Sequence, residues 1–172
     1  PREFDIWMRL LHQVKGSVLW LKQSNQWAKS NLMKETKMRG IDPSRLIFSK
    51  TIKLEDHLAR HKLADIFLDT FNFNAHSTAS DALWAGLPVI TRIGEQFVAR
   101  VASSLLNALG LPELIATNDY EYEALALELA TNKSLLKSTK KKLLHNKHST
   151  PLFDTKSYTK NYEEGLEKAF NL

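Results

Sequence analysis

His76, Ser77 and Thr78, followed one helical turn later by Asp81, are the residues of this sequence whose types and spacing point most directly to chemistry. They stand at the start of a predicted helix. Unpaired N–H groups there, with the positive end of the helix dipole, favour a phosphate, and two hydroxyls add donors. Each helix-end interaction gives only about 0.3–1 kcal/mol when exposed, so an anion needs several donors together. Asp81 repels phosphate, and in this reading it faces a ligand's hydroxyls, as acids do with ribose in dinucleotide folds. A purely structural reading also fits, because Thr78 and Asp81 have the spacing of an N-cap and a first-turn acid. The residues by themselves leave both readings open.

A second group is His57, Arg60 and His61. Two histidines at i and i+4 are spaced for a metal, yet no glutamate lies between them in the H-E-x-x-H manner and no third ligand is evident. The expectation is no metal. His57 and Arg60 read as a surface pair unless a crevice lies beside them. No G-x-G-x-x-G, no G-x-x-x-x-G-K-[ST] and no G-x-S-x-G occurs, so dinucleotide, P-loop and serine-nucleophile signals are missing. The sequence shows no catalytic base, and His145 and His148, set among lysines, are expected to be solvent-exposed.

The elements that must position these residues lie between Leu63 and Glu95. A short apolar strand (Ile66 to Leu68), a polar loop, a helix through Trp84 and a strand from Val89 form one βαβ unit in about thirty residues. Gly86 stops the helix and Pro88 can sit only at the start of the next strand. Ligands of such sheets bind beyond the carboxyl ends of the strands. Upstream, residues 1 to 15 read as an apolar-striped helix, Ser17 to Lys22 as a strand, Asn25 to Arg39 as a helix and Arg45 to Ser49 as a strand. Lys50 to Asp56 reads as a crossing loop before a helix from His57 to Leu63. Downstream come a helix from Gln96 to Leu109, with Phe97, Val98, Val101, Leu105, Leu106 and Leu109 facing the core, and the strand-like L-P-E-L-I-A-T. Asn118 and Glu121 resemble a capping box for a helix from Asp119 to Ala130. A lysine-rich helix and a last helix from Thr155 to Phe170 follow, both expected to pack on the same domain. Alternation throughout predicts an α/β fold with a doubly wound, mainly parallel sheet in a single domain, 1–172.

The chain has 172 residues, 43% hydrophobic and 25% charged, which is ordinary for a globular domain. No apolar run approaches the roughly 20 residues of a membrane span. The lack of cysteine excludes disulfides and thiolate metal sites and fits a reducing compartment, with the cytoplasm as the expected location. The chain opens Pro1-Arg2-Glu3 without a methionine, directly at a helix, so a piece of a longer protein is expected. A net charge of +5 permits an anionic partner. Lys133, Lys137, Lys140, Lys141, Lys142 and Lys147 form an acid-free segment, read either as a solvated face or as a polyanion patch. Without interleaved aromatics a base-stacking surface, and hence nucleic acid, is not expected.

The segment from Glu55 to Arg60 (E-D-H-L-A-R), then L-A-D-I-F-L-D-T, then H-S-T-A-S-D-A-L-W-A-G-L-P-V-I-T, resembles the catalytic region of O-GlcNAc transferases and their SPINDLY relatives. The match continues through L-P-E-L-I-A and through P-L-F-D-T-K-S-Y-T from Pro151 to Thr159, nearly the whole chain. The resemblance implies the carboxy-terminal, Rossmann-like half of a GT-B fold, often preceded by tetratricopeptide repeats. It implies an inverting protein glycosyltransferase with a UDP-sugar donor, UDP-GlcNAc as in the best-known members, a protein or peptide acceptor, no cofactor and no membrane. In it His76, Ser77 and Thr78 would meet the diphosphate, Asp81 the ribose, and His57 and Arg60 the uracil. Ile52, Lys53 and Leu54 would offer backbone groups to the base edge, Leu54 standing where the family often has lysine. Family members carry a glutamine and a lysine just ahead of the opening helix, and an amino-terminal Rossmann half that is missing from this chain. The piece alone is therefore expected to bind UDP weakly and to transfer nothing. Rival readings are another GT-B sugar-nucleotide enzyme and a non-catalytic polyanion-binding module.

Overall fold

The computed structural model describes residues 2–171. Short apolar runs become five parallel strands, and the amphipathic stretches between them become helices. The order is α1 (Arg2–Gln13), β1 (Leu19–Lys22), α2 (Gln26–Met38), β2 (Leu46–Ser49), α3 (Leu54–Arg60), β3 (Phe67–Leu68) and α4 (Ser77–Trp84). Then follow β4 (Val89–Arg92), α5 (Val101–Ala108), β5 (Ile115–Ala116), α6 (Asp119–Thr131), α7 (Lys133–Asn146) and α8 (Thr155–Phe170). The α/β class with parallel strands is the one expected from the sequence. The strands fall into two sheets rather than one, however. β1 pairs with β2 in register Leu19↔Leu46, and β4 lies between β3 and β5 with Phe67↔Val89 and Thr91↔Ile115. No ladder joins β1 to β3, because strand runs in a sequence declare their existence but not their partners.

Two apolar clusters hold the sheets. The larger surrounds β4, where Val89 and Ile90 are fully buried against Leu83 of α4, Leu106 of α5 and Tyr122 of α6. The smaller joins Phe4, Met8 and Leu11 of α1 to Ile41 and Leu46. Trp7 packs against both clusters, so α1 is the hinge plate between the sheets. The carboxyl end of α1 is tied by Arg45, whose guanidinium donates to the carbonyls of Leu11 (2.8 Å), Val14 (2.9 Å) and Ser17 (2.8 Å). A cation on these orphan carbonyls also suits the negative end of the helix dipole.

Two local boundaries and the packing of the last helix differ from the sequence expectation. α3 begins at Leu54, because Lys53 already has extended geometry and the His57 amide closes on the Lys53 carbonyl at 2.9 Å. The expected helix from Gln96 divides at Arg100 into a 3₁₀ turn (Phe97–Ala99) and α5, which turns Phe97 outward, 79% exposed, instead of into the core. α7 packs against α6 as expected, whereas α8 is exposed along its length. Leu152 and Phe153 are the last side chains to reach the core, with Phe153 5.1 Å from Trp84, and Tyr158, Tyr162, Leu166 and Phe170 on the apolar side of α8 are exposed.

The stop after α4 follows from glycine chemistry. Gly86 has φ +86°, its amide bonds the Leu83 carbonyl at 3.1 Å, and the Leu87 amide bonds Ala82 at 2.9 Å, the paired bonds that end a helix. A Cβ there would also stand 3.0 Å from Leu144 Cδ2 of α7. Gly86→Ala should therefore destabilise the fold by about 1–3 kcal/mol, read as a lowered urea midpoint with unchanged slope. An unmoved midpoint would mean that α4 does not end on Gly86.

Candidate functional site

The site is built outward from a buried carboxylate. Asp69 follows β3 directly and is 1% exposed. Its Oδ1 accepts from the amides of Thr70 (2.8 Å) and Ala75 (2.7 Å), and its Oδ2 accepts from the Thr91 hydroxyl on β4 (2.7 Å). The Tyr122 hydroxyl donates to its carbonyl at 2.9 Å, and burial keeps that phenol protonated by pushing its pKa far up. Inside the loop the Asn74 amide group donates to Thr70 O (2.8 Å), and the Thr70 hydroxyl to Phe73 O (2.6 Å). The loop is thus cross-tied from both ends and delivers His76 to the head of α4.

His76 is the residue before the helix, and its side chain makes no cap bond. Its ring stacks on Phe73 at 4.8 Å and meets Phe97 edge-on at 6.4 Å. Helix bonding starts with Ala79 and Ser80, both donating to the His76 carbonyl, and the amides of Ser77 and Thr78 have no hydrogen-bond partner among the described residues. Thr78 is therefore inside the first turn and not the N-cap that its spacing suggested. Two free amides with two exposed hydroxyls, Ser77 and Thr78, stand at the positive end of the helix.

Across from this helix start lies α3. His57 stacks edge-on against His61 at 4.6 Å, and its Nδ1 is buried without a partner. Burial, then the neighbouring His61 and Arg60, hold the His57 pKa below the usual imidazole range, with Asp81 opposing as the nearby acid. Burial thus favours the neutral form of the ring, which already packs edge-on against His61. His61 Nδ1 pairs with the His57 carbonyl at 2.7 Å, a structural use of that ring. The Arg60 guanidinium donates to Lys50 O at 3.0 Å and lies over the Trp20 ring at 5.9 Å. A cavity of about 890 Å³ takes His57, Arg60 and Thr78 in its lining, along with apolar side chains of β1, β3 and α1. Among the described residues no cluster of three or more His, Asp or Glu side chains is placed to hold a metal, and no helix is long and apolar enough to cross a membrane.

The structure thus brings His57, Arg60 and Thr78 to one cavity, and His76, Ser77 and Asp81 to the helix beside it. Ile52, Lys53 and Leu54 are exposed on the approach to α3 and do not line the cavity. Sequence reasoning missed Asp69, Thr91, Phe73 and Phe97. The only signal for Asp69 was an acid at the carboxyl end of a strand, and its partner Thr91 lies 22 residues away.

The sequence model of glycosyl transferase family 41 matches residues 1–162. A UDP-N-acetylglucosamine–peptide N-acetylglucosaminyltransferase of Caenorhabditis elegans is 39% identical over 166 residues, 96% of this chain and 14% of the relative. A probable enzyme of the same name, SEC of Arabidopsis thaliana, is 36% identical over 100% of this chain and 18% of the relative. SPINDLY of Hordeum vulgare, a third probable one, is 32% identical over 99% and 18%. Among solved structures, a mutant O-GlcNAc transferase of Thermobaculum terrenum superposes with a TM-score of 0.91 at 29% identity, over 98% of this chain and 33% of that one. The chain spans less than a fifth of the length of these curated relatives.

Asp69 makes its own prediction. Desolvation lifts its pKa from 3.8 to about 6, against the lowering effect of the Thr91, Ala75 and Thr70 bonds. A folded-state pKa above the unfolded one means that the native state holds the extra proton between pH 4 and 6. Stability from this group is therefore full below pH 4 and is lost as pH rises through 6, by up to about 3 kcal/mol. Asp69→Asn should flatten that segment of the urea-derived stability profile. A constant gap between the two proteins from pH 4 to 7 would refute the assignment.

Proposed function

The chain belongs to glycosyl transferase family 41, and from that premise we propose that it is the donor-binding half of an inverting protein glycosyltransferase that uses a UDP-sugar, UDP-GlcNAc first among them. The observation that carries this reading is the pairing of free α4 amides with the half-buried His57 ring across one concavity, Thr78 being common to both. In this reading the diphosphate sits on the Ser77 and Thr78 amides, with their hydroxyls and His76 as further donors. Asp81, kept off the phosphates one turn along, takes the ribose hydroxyls. His57 lies against the uracil, Arg60 borders it, and the backbone of Ile52, Lys53 and Leu54 meets the base edge.

Such a site serves transfer by holding the leaving group. An acceptor hydroxyl attacks the anomeric carbon in line and gives up its proton to a base or to the departing diphosphate. The bond from the anomeric carbon to the β-phosphate oxygen breaks, and that oxygen takes up the bonding pair as negative charge while UDP leaves. Amides already aimed at that place stabilise the developing charge without rearrangement. Alignment of the acceptor belongs to a second half of the enzyme, since effective in-line geometry needs walls on both sides of the reacting centre. We therefore assign nucleotide binding to this chain and transfer only to the longer polypeptide, with a protein or peptide as acceptor.

Calorimetric titration with UDP tests this reading. Binding near millimolar, about −4 kcal/mol, is expected. His76→Ala and Asp81→Asn should each weaken it about tenfold, or about 1.4 kcal/mol, without moving the unfolding midpoint. No heat at millimolar UDP would sink the proposal.

A further inference from the structure

Three aromatic rings stand beside the head of α4, and nucleotide binding uses only one of them. His76 stacks on Phe73 nearly in parallel, with 4.8 Å between centroids and 13° between planes, and Phe97 meets His76 at 80°. The rings therefore form a corner, with Phe73 and His76 along one wall and Phe97 along the other. Phe73 is 61% exposed and Phe97 79%. Apolar side chains scattered singly on a surface need no explanation, but rings gathered at one spot mark a binding surface. Neither ring is exposed through slack in its loop. The Phe73 carbonyl accepts from the Thr70 hydroxyl at 2.6 Å, and the next residue, Asn74, is fully buried. The Asn74 amide donates to Val98 O at 2.8 Å, which ties the loop of Phe73 to the turn of Phe97. That turn is closed in its own right by the Gly94 amide on Ala99 O at 2.8 Å. Both backbones are fixed before any ligand arrives, so the rings lose little freedom on contact.

The direction of the ligand gives the corner its occupant. The cavity that takes in His57 and Arg60 reaches the helix start at Thr78, whereas Phe73, His76, Ser77 and Phe97 lie outside its lining. A nucleoside at His57 with its diphosphate on the Thr78 and Ser77 amides thus runs along the head of α4 toward His76. The group esterified to the far phosphate comes next, and the ring corner is what it meets. A hexopyranose presents one face made mainly of C–H bonds, which packs on aromatic carbon, whereas a phosphate or a ribose hydroxyl finds no hydrogen-bonding group on a phenylalanine.

We propose that Phe73 and Phe97 are specificity-determining residues for the donor, packing on the C–H face of its hexosyl group at the corner they share with His76. The inference rests on the Ser77 and Thr78 amides being the diphosphate seat, and it extends that site by one subsite. The contact is made by carbon on carbon. It therefore distinguishes a nucleotide that carries a sugar from one that does not, while the phosphates meet amides and hydroxyls in either case.

Calorimetric titration of the full-length polypeptide without acceptor tests the proposal, with UDP and UDP-GlcNAc measured on each protein. Phe73→Ala and Phe97→Ala should each raise the ratio of the UDP-GlcNAc to the UDP dissociation constant about five- to tenfold, or about 1–1.4 kcal/mol. The UDP constant itself should change by no more than about twofold. Phe73→Tyr keeps the ring and should keep the ratio. Both ligands are measured on the same sample, so a loss of folded protein does not move the ratio. Equal weakening of both ligands, or an unchanged ratio in either alanine variant, overturns the proposal and leaves the nucleotide site standing. So does a ratio raised as far by Phe73→Tyr as by Phe73→Ala. Absence of UDP binding to the unaltered protein removes the diphosphate seat itself, and the assignment of the corner with it.

Discussion

A charged group buried without a counter-ion is the constraint around which this structure is arranged. Asp69 is held by two amides and a hydroxyl and by no arginine or lysine. Desolvating a carboxylate is expensive, and dipoles aimed at it are the only compensation available here. Each dipole comes from a different place: the start of the loop, its end, and the middle of β4. Satisfying all three bends residues 70–75 into one conformation, and that conformation sets where α4 begins. A residue without a side-chain acceptor oxygen would leave two amides orphaned, so the local geometry depends on an acceptor at this position.

The same arrangement explains which features could be read from the sequence. Gly86 with Pro88, and Asn118 with Glu121, act within a few residues of one another. Asn118 caps α6 as read, accepting from the Glu121 amide at 2.9 Å. The Glu121 carboxylate takes the Asn118 side-chain amide (2.8 Å) and the Thr117 amide (2.8 Å) instead of the Asn118 backbone amide of a full capping box. The stripe of α1 was legible because helical spacing alone determines which side chains share a face. The grouping of His57, Arg60 and Thr78 around one cavity was accessible only through resemblance, since α3 and α4 are separated by a strand and a loop.

What stayed illegible depends on distant partners. Asp69 and Thr91 belong to neighbouring strands, and neither residue type announces the other. Arg100 divides the helix expected from Gln96 because its guanidinium bonds Gly94 O at 2.9 Å and the Gly94 amide returns to Ala99 O at 2.8 Å, closing a small loop. A Cβ on Gly94 would lie 2.6 Å from that of Ala99, so this closure depends on glycine. Phe97 is thereby released from the core to stand beside His76. α8 has a regular apolar side, yet periodicity describes only a face and not what covers it.

Ion pairing distinguishes the lysines of the basic segment from one another. A polyanion patch needs lysines that are free and aligned, since each phosphate contact works by displacing a condensed counterion. On α7, Lys142 is 2.6 Å from Glu113 and Lys140 is 3.3 Å from Asp65. Lys147 just beyond donates to Trp84 O at 3.0 Å and lies 4.6 Å over the Trp84 ring. These three fasten α7 across the larger sheet, so half of the six lysines are engaged in holding the fold. Among the described residues Lys133, Lys137 and Lys141 carry no such obligation, and neither do the Ser77 and Thr78 amides, whose direction α4 fixes. In the proposed reading the two amides and the helix dipole select a ligand by direction and shape, where the net charge of a run of lysines only attracts one.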